Sequence, residues 1–325
     1  MENEIIIRKV TKEDCGQLSH LYERVWPDVT FDKKAKAAFV VEESDGVSYC
    51  AEDKGVIVGS RTSFYVNMRY GDKPIKCVQF ADSCTDKSYR GKGLFLKLNQ
   101  AFLKDFFATG ELVYNISVFA SKKAYEKLGW HYIESLMFLR KLQRPLRVLW
   151  KVKGDVRKLG GDIVWDMQSP EFSLPENLLE IRENVFSALP VLHIRYDNKT
   201  VEWRQKSKNG IKCLLDDECG AVIYKIGNKE GLRVVEIGEL FLKEYNQDCF
   251  DRAIKRINSD LRPDMIIVMV SLGHPLMLFY RKKHFLSNPK QKFLYHGTRV
   301  ESEEMRKIVE NPQAWAVSSL DIDTF

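Results

Sequence analysis

The chain has 325 residues, which is long for one ordinary domain and suits two. Its 44% hydrophobic and 30% charged residues describe a globular protein and exclude a disordered, collagenous or fibrous one. Basic residues (51) nearly balance acidic ones (45), so the net charge of +6 admits anionic ligands without demanding nucleic acid. The longest apolar run, residues 265–270, is far short of the ~20 residues of a membrane span, and the acidic start MENEIIIRKV does not read as a secretory leader. Seven cysteines without a CxxC pair point to reduced thiols and a cytoplasmic location, not to disulfides or zinc.

In chain order, residues 5–10 form a β-branched strand, and Thr11 can cap a helix carrying Leu18, Leu21, Tyr22 and Val25 that Pro27 stops. Strand-like runs follow at 47–51, 56–58, 63–66 and 75–81. Turns at Asp45-Gly46, Gly55, Gly59 and Tyr70-Gly71-Asp72 make this an expected antiparallel meander. From Leu94 to Phe107 the apolar residues recur at helical intervals, and Gly110 closes the helix. Residues 112–119 read as a strand buried on both faces, 121–128 as a short helix ended by Gly129, and 132–142 as one strand. Residues 141–158 hold seven basic residues against one acid, Asp155, and read as a solvated linker broken by Pro145, Gly154 and Gly160-Gly161. Beyond it, helices are expected at 178–188, 249–261 and 275–283, with strands at 211–215, 221–226, 234–241 and 265–270.

The stretch that carries chemistry is Thr85-Asp86-Lys87-Ser88-Tyr89-Arg90-Gly91-Lys92-Gly93-Leu94-Phe95, between a strand and an amphipathic helix. Gly91 and Gly93 permit a tight turn and close backbone approach. The free amides at the helix start then converge on one place, where the helix dipole favours negative charge. Lys87, Arg90, Lys92 and Lys97 add positive charge with no acid between them. A diphosphate would select this arrangement; a glycine-rich turn with solvated lysines is the other reading. The GxxxxGK[ST] spacing of a Walker loop is missing, and Leu96 stands where GxGxxG needs its third glycine.

Tyr89-Arg90-Gly91-Lys92-Gly93 resembles the pyrophosphate loop of the GNAT superfamily, the acetyl-coenzyme A-dependent N-acyltransferases. That loop reads roughly [QR]-x-x-G-x-[GA]; Arg90 and Gly93 match it and Phe95 departs from it. A second signature, Ala124-Tyr125-Glu126-Lys127-Leu128-Gly129-Trp130, is similar to the family's Y-E-K-L-G-F helix and turn. Phe119 stands where an asparagine often precedes that tyrosine by six positions. The resemblance covers residues 5–142. It implies an α+β fold whose mixed, mostly antiparallel sheet splays to admit the pantetheine arm against the edge 79–85. It further implies acetyl-coenzyme A as acyl donor, held by Cys84, Thr85, Arg90, Gly91, Lys92, Gly93, Leu94 and Ser121. In the implied reaction a neutral amine attacks the thioester directly, with Tyr125 as general acid and Asp82 as the nearest base; a core aromatic is the other reading of Tyr125, and Asp82 could instead cap the loop while a water chain serves as base. Cys84 has no histidine near it in sequence and no acyl-enzyme is needed, so it is not read as a nucleophile. His131 could reach a substrate or be a solvated turn residue, and the other histidines form no ligand cluster, so no metal is expected.

Phe279-Tyr280-Arg281-Lys282-Lys283-His284-Phe285 echoes the second signature, but Glu239-Leu240-Phe241-Leu242-Lys243-Glu244-Tyr245-Asn246 upstream has two acids and no glycine where a phosphate loop would fall. The expected organisation is a GNAT domain at 1–145, a basic linker at 146–164 and a degenerate GNAT-like domain at 165–325. Trp203-Arg204 and Trp315 with Asp321-Ile322-Asp323 resemble tandem members of the family; core tryptophans and a polar tail are the other reading. The resemblance implies acetyl transfer to a primary amine of a small acceptor, with a nucleotide-linked amino sugar as the leading candidate. Protein or peptide lysines compete as acceptors, and a non-catalytic acyl-coenzyme A sensor or scaffold competes as a role. The basic linker lacks a nucleic-acid recognition motif, so nucleic acid is not expected as a partner. No oligomeric state is read from the sequence.

Overall fold

The alternating apolar residues after position 46 build longer strands than their glycines suggest. The computed structural model describes residues 5–28, 31–43, 46–153, 162–207, 210–287 and 294–322. Asp45 of the first expected turn, residues 154–161 of the expected linker, and Asp323 lie outside them.

The chain opens with β1 (Ile6–Lys9), helices α1 (Cys15–Val25) and α2 (Lys33–Ala38), then β2 (Tyr49–Asp53), β3 (Val56–Tyr70) and β4 (Lys73–Thr85). The strands expected at 56–58 and 63–66 are one. Gly59 does not turn the chain: the register with β2 slips between Ala51 and Glu52, and this bulge lets β3 run on. A Cβ at Gly59 would meet the Cys84 carbonyl at 3.4 Å, an ordinary van der Waals contact. Next come α3 (Leu94–Phe106), β5 (Leu112–Val118), α4 (Lys122–Glu126) and β6 (His131–Tyr132). The strand expected at 132–142 is broken after β6, and β7 (Leu136–Leu142) joins a different sheet.

The rest comprises α5 (Pro145–Lys151), β8 (Val164–Trp165), α6 (Glu176–Ser187), β9 (Leu192–Ile194), α7 (Asn198–Ser207), β10 (Lys212–Asp216), β11 (Gly220–Lys229), β12 (Leu232–Leu242), α8 (Gln247–Leu261), β13 (Met265–Ser271), α9 (Met277–Lys282), β14 (Leu286–Ser287), β15 (Leu294–Arg299) and α10 (Glu303–Val309). The first sheet follows the order β1-β2-β3-β4-β5-β15-β6 and the second β10-β11-β12-β13-β7-β14. Two α+β units result, each a mixed, mostly antiparallel sheet flanked by helices.

The units interleave along the chain. The first contains Met1–Met68, Pro74–Ile133 and Phe293–Glu310; the second contains Arg69–Lys73, Glu134–Lys292 and Asn311–Phe325. A boundary near 145 followed by a contiguous body from 165 therefore does not describe them. Strand β7 pairs along its whole length with β13, from Leu136↔Ser271 to Leu142↔Met265, and β15 pairs with β5 from Leu294↔Val118 to Arg299↔Val113. Each half of the chain lends a strand to the other unit.

In the first unit, the α3 side of the sheet buries Phe80, Leu98, Phe102, Val113, Tyr125, Trp130 and Tyr295. The opposite side packs Leu18, Leu21, Tyr22, Ala37, Ile57 and Cys84 beneath α1 and α2. In the second, Ile237, Phe250, Ile254, Val268 and Tyr280 form the main core.

Candidate active site

Strands β4 and β5 run parallel but pair only over Cys77↔Leu112, Val78↔Val113 and Gln79↔Tyr114. Past Gln79 they diverge, and β5 turns its other edge to β15. The wedge that opens exposes strand edge to an extended ligand, which can add its amides as an extra strand. At the top of the wedge the chain bends through Lys87–Tyr89 into α3. Asp86 fixes the start of the bend: its amide donates to the Val58 carbonyl (2.9 Å) and its carboxylate takes Arg24 Nε (2.7 Å). The Tyr89 hydroxyl donates to Asp53 Oδ2 at 2.6 Å, and Lys92 Nζ lies 4.3 Å above the Tyr89 ring.

Gly91 and Gly93 are left-handed (φ +81° and +73°), and a Cβ at either would meet nothing within 4 Å. Open space thus faces both glycines. Gly93 is the N-cap of α3; no side chain caps the helix, and its first turn holds no acid. The first intrahelical bond is Lys97 N to Gly93 O, at 3.1 Å. The amides of Leu94, Phe95 and Leu96 precede this first intrahelical bond, and Arg90 and Lys92 are exposed beside them, a cradle whose chemistry suits an anion.

Lower in the wedge lies Tyr125, only 2% exposed. Asn115 Nδ2 donates to its hydroxyl oxygen in a short contact. This amide occupies a lone pair of the phenol oxygen. Four groups surround the ring: Phe95 edge-on at 5.3 Å, Trp130 at 4.8 Å, Tyr295 stacked at 5.3 Å, and the Arg61 guanidinium 5.6 Å from its centre. No motif in the sequence marks Asn115, Arg61 or Tyr295. Asn115 carries a signal there, an amide inside the otherwise apolar run Leu112–Ile116; a buried amide needs a partner.

A helix-opening anion cradle, a split parallel pair and a buried tyrosine after the second strand constitute one architecture, and comparison with known proteins names it. The sequence profile of the Acetyltransferase (GNAT) domain matches residues 6–133. Residues 6–133 belong to the GNAT acetyltransferase family. Among solved structures, the GCN5-related N-acetyltransferase from Kribbella flavida is 12% identical, with 91% of this chain aligned to 72% of that one at a TM-score of 0.62. The corresponding protein from Anabaena variabilis is 11% identical, covers 91% and 73%, and scores 0.65. A Pyrococcus horikoshii chain at 12% identity covers 97% and 93% with a score of 0.53. At these identities the likeness extends to the fold of nearly the whole chain. No curated protein sequence matches.

The GNAT domain distributes the expected residues unevenly. Arg90, Gly91, Lys92, Gly93 and Leu94 come together at the cradle, although the Leu94 side chain is buried in the core. Thr85 ends β4 just before the bend. Asp82 is left-handed (φ +41°) and its carboxylate meets Lys36 Nζ of α2 at 2.7 Å. It therefore stands on the α2 side of the sheet, and Tyr125 on the α3 side, with the wedge between. The Cys84 thiol is not in the wedge: it packs under α1 and α2 against Ser60 Oγ at 3.1 Å, and burial pushes its pKa up to about 12. Any contact of Cys84 with a ligand would be through its main chain. The Ser121 hydroxyl donates to the Val118 carbonyl at 2.7 Å and touches Ser117 Oγ at 2.8 Å, so it is engaged in holding the entrance of α4. His131 Nδ1 lies 3.3 Å from Glu310 at the surface.

The second unit repeats the divergence and closes it. Strands β12 and β13 pair in parallel from Val234↔Met265 to Ile237↔Val268 and then separate. Glu239 follows at once, fully buried, with Arg182 Nη2 at 3.0 Å and His274 Nε2 at 3.4 Å. Arg182 also donates to the Ile194 carbonyl at 2.9 Å and lies 3.9 Å over the Phe186 ring. Burial would raise the Glu239 pKa, but His274 and Arg182 outweigh it and hold it at about 2. Buried, mutually paired side chains of the protein itself thus follow the divergence of β12 and β13.

Proposed function

We propose that the protein is an N-acetyltransferase that moves the acetyl group of acetyl-coenzyme A to a primary amine. The observation that carries this reading is the conjunction of the open glycine cradle at 90–94 with the divergence of β4 and β5 below it. The amides at the head of α3, with Arg90 and Lys92, suit the diphosphate; the edge beyond Gln79 suits the pantetheine arm; Ser121 and the Thr85 region flank the passage. The bound donor supplies an activated acyl carbon as a thioester. The amine nitrogen forms the new bond to that carbon as the carbon–sulfur bond breaks. In the proposed step Tyr125, contacted by Asn115, gives its proton to the departing sulfur, and Asp82, paired with Lys36, takes the proton from the amine.

The acceptor proposed first is a small amine, a nucleotide-linked amino sugar in particular, ahead of peptide lysines. Titration calorimetry with coenzyme A, followed by a thiol-release assay across these amines, tests the reading. Binding at micromolar level with release on one acceptor class is expected, on the order of 10⁻⁶ M. Gly93→Val should weaken coenzyme A at least about tenfold, because a branched residue resists the left-handed conformation. No uptake of coenzyme A would remove the proposal; uptake without turnover on any amine would leave the sensor role in its place.

A further inference from the structure

Helix α5 carries three faces. Val148 and Val152 are buried on Leu232 and anchor it to the second unit. Asp264, 1% exposed, ties its start down: its carbonyl accepts the amides of Gln143 and Arg144, and its carboxylate lies 3.2 Å from Arg147 Nε. The outward face is apolar, with Leu146 83% exposed, Leu149 47% and Trp150 74%. Their spacing of three and four residues puts them on one stripe of the helix. On the third face Arg144 and Arg147 share the Asp264 carboxylate (3.8 and 3.2 Å), and Lys151, its Nζ 5.4 Å from the Trp150 ring, with Lys153 just beyond, supplies the further positive charge. Val164, 76% exposed, lies at the same end of the sheet, since its partner Asn228 immediately precedes the β11–β12 turn on which Lys151 rests. Among the described residues the acids at this end are buried Asp264 and exposed Glu230 and Asp162.

We propose that this face docks the protein on an anionic bilayer surface, α5 lying flat with Leu146, Leu149 and Trp150 in the headgroup boundary and its cations against lipid phosphates. A stripe of three side chains is too small for a stable protein interface, which buries about 800 Å² per partner. It is sufficient for an interfacial helix, whose binding sums a few inserted apolar groups and the attraction of each Lys or Arg to anionic lipid. Tryptophan favours that boundary, and nucleic acid would leave both leucines in water. Among the described residues no helix is long and apolar enough to cross a membrane, so the association is peripheral.

The test is cosedimentation of the full chain with phosphatidylcholine vesicles and with vesicles containing about one-third phosphatidylglycerol. Binding to the anionic vesicles should exceed binding to the neutral ones at least about tenfold and fall steeply as salt rises from ~0.05 to ~0.5 M. The double variant Leu146→Ser/Trp150→Ser, and separately Lys151→Glu/Lys153→Glu, should each lose about tenfold with thermal stability unchanged, because these side chains are surface groups. Equal binding to both vesicle types, or undiminished binding by the first double variant, overturns the proposal. So does self-association, or salt-sensitive duplex binding, that takes the place of vesicle binding and vanishes in the same variants.

Discussion

Tyr125 and Tyr295 stack face to face, ring centroids 5.3 Å apart and planes 17° from parallel. Tyr132 covers the other face of Tyr295 at 5.6 Å and 14°, which makes a column of three rings. The middle ring comes from β15, near the far end of the chain, and the glycine at 297 makes room for it: a Cβ there would lie 2.2 Å from that ring. Burial holds the Tyr295 hydroxyl above its ordinary range, so it stays protonated and neutral behind the tyrosine that faces the wedge. The last lent strand thus sets the wall against which Tyr125 is held.

Tyr125→Phe should keep the ring column and the coenzyme A affinity while turnover falls about 100-fold, the lower range for a lost general acid. Tyr295→Leu should act differently, costing about 2 kcal/mol of stability through lost aromatic contact and volume, with a smaller fall in turnover. Steady-state kinetics beside urea denaturation separates the two. Equal turnover in wild type and Tyr125→Phe would show that the leaving thiolate needs no proton from this residue.

His296, next to Tyr295, is wholly buried beside Tyr114, and burial holds its pKa down at about 3. In the unfolded chain a histidine takes its proton near pH 6.5. Between these values the unfolded state binds more protons than the native one, so the fold loses stability as pH falls from about 6.5 toward 3 and has this contribution in full above that window. The slope is about 1.4 kcal/mol per pH unit at its steepest. Urea midpoints measured from pH 7 to 5 should decline for the wild type and stay nearly flat for His296→Phe. A variant that declines in parallel with the wild type would assign the acid sensitivity to other groups.

What the sequence makes legible is local. The helix at 94–107, the buried strand at 112–119 and the bend between them are written in period, glycine placement and charge, and α3 and β5 follow them closely. Which sheet a strand joins is not written locally: β7 reads as the continuation of β6, and only its register with β13 shows otherwise. The same limit hid Tyr295, whose strand pairs with β5 across most of the chain length. α5 reads as solvated linker because four of its residues and neighbours are basic; the two valines that anchor it are too few to set a period. Resemblance alone puts Cys84 beside the donor, and strand alternation turns its thiol to the opposite face.

In the second unit, Arg182 and Glu239 form a pair with both side chains 1% exposed. Arg182→Met would leave a carboxylate buried beside His274 and should cost about 3–5 kcal/mol. Arg182→Met with Glu239→Gln removes both charges and should recover a large part of that loss. Coenzyme A uptake, which the proposal assigns to residues 90–94, should be unchanged in the double variant. Loss of uptake on filling changes at Glu239 would move the donor site to the second wedge.

The exchange of strands predicts how the chain tolerates cutting. A fragment ending at residue 145 retains every residue of the GNAT match at 6–133 and the whole cradle. It lacks β15, whose six residues pair with Val113–Val118 and whose Tyr295 backs Tyr125. The β5 edge would then present unpaired amides and apolar side chains, a template for association. β7 would have lost β13, its partner from Leu136 to Leu142. The expected outcome is an aggregating fragment without a cooperative thermal transition, rescued when the strand 294–299 is restored through a linker after residue 133. A monomeric, cooperatively melting 1–145 fragment that binds coenzyme A would show instead that β15 is an accessory to a unit already complete.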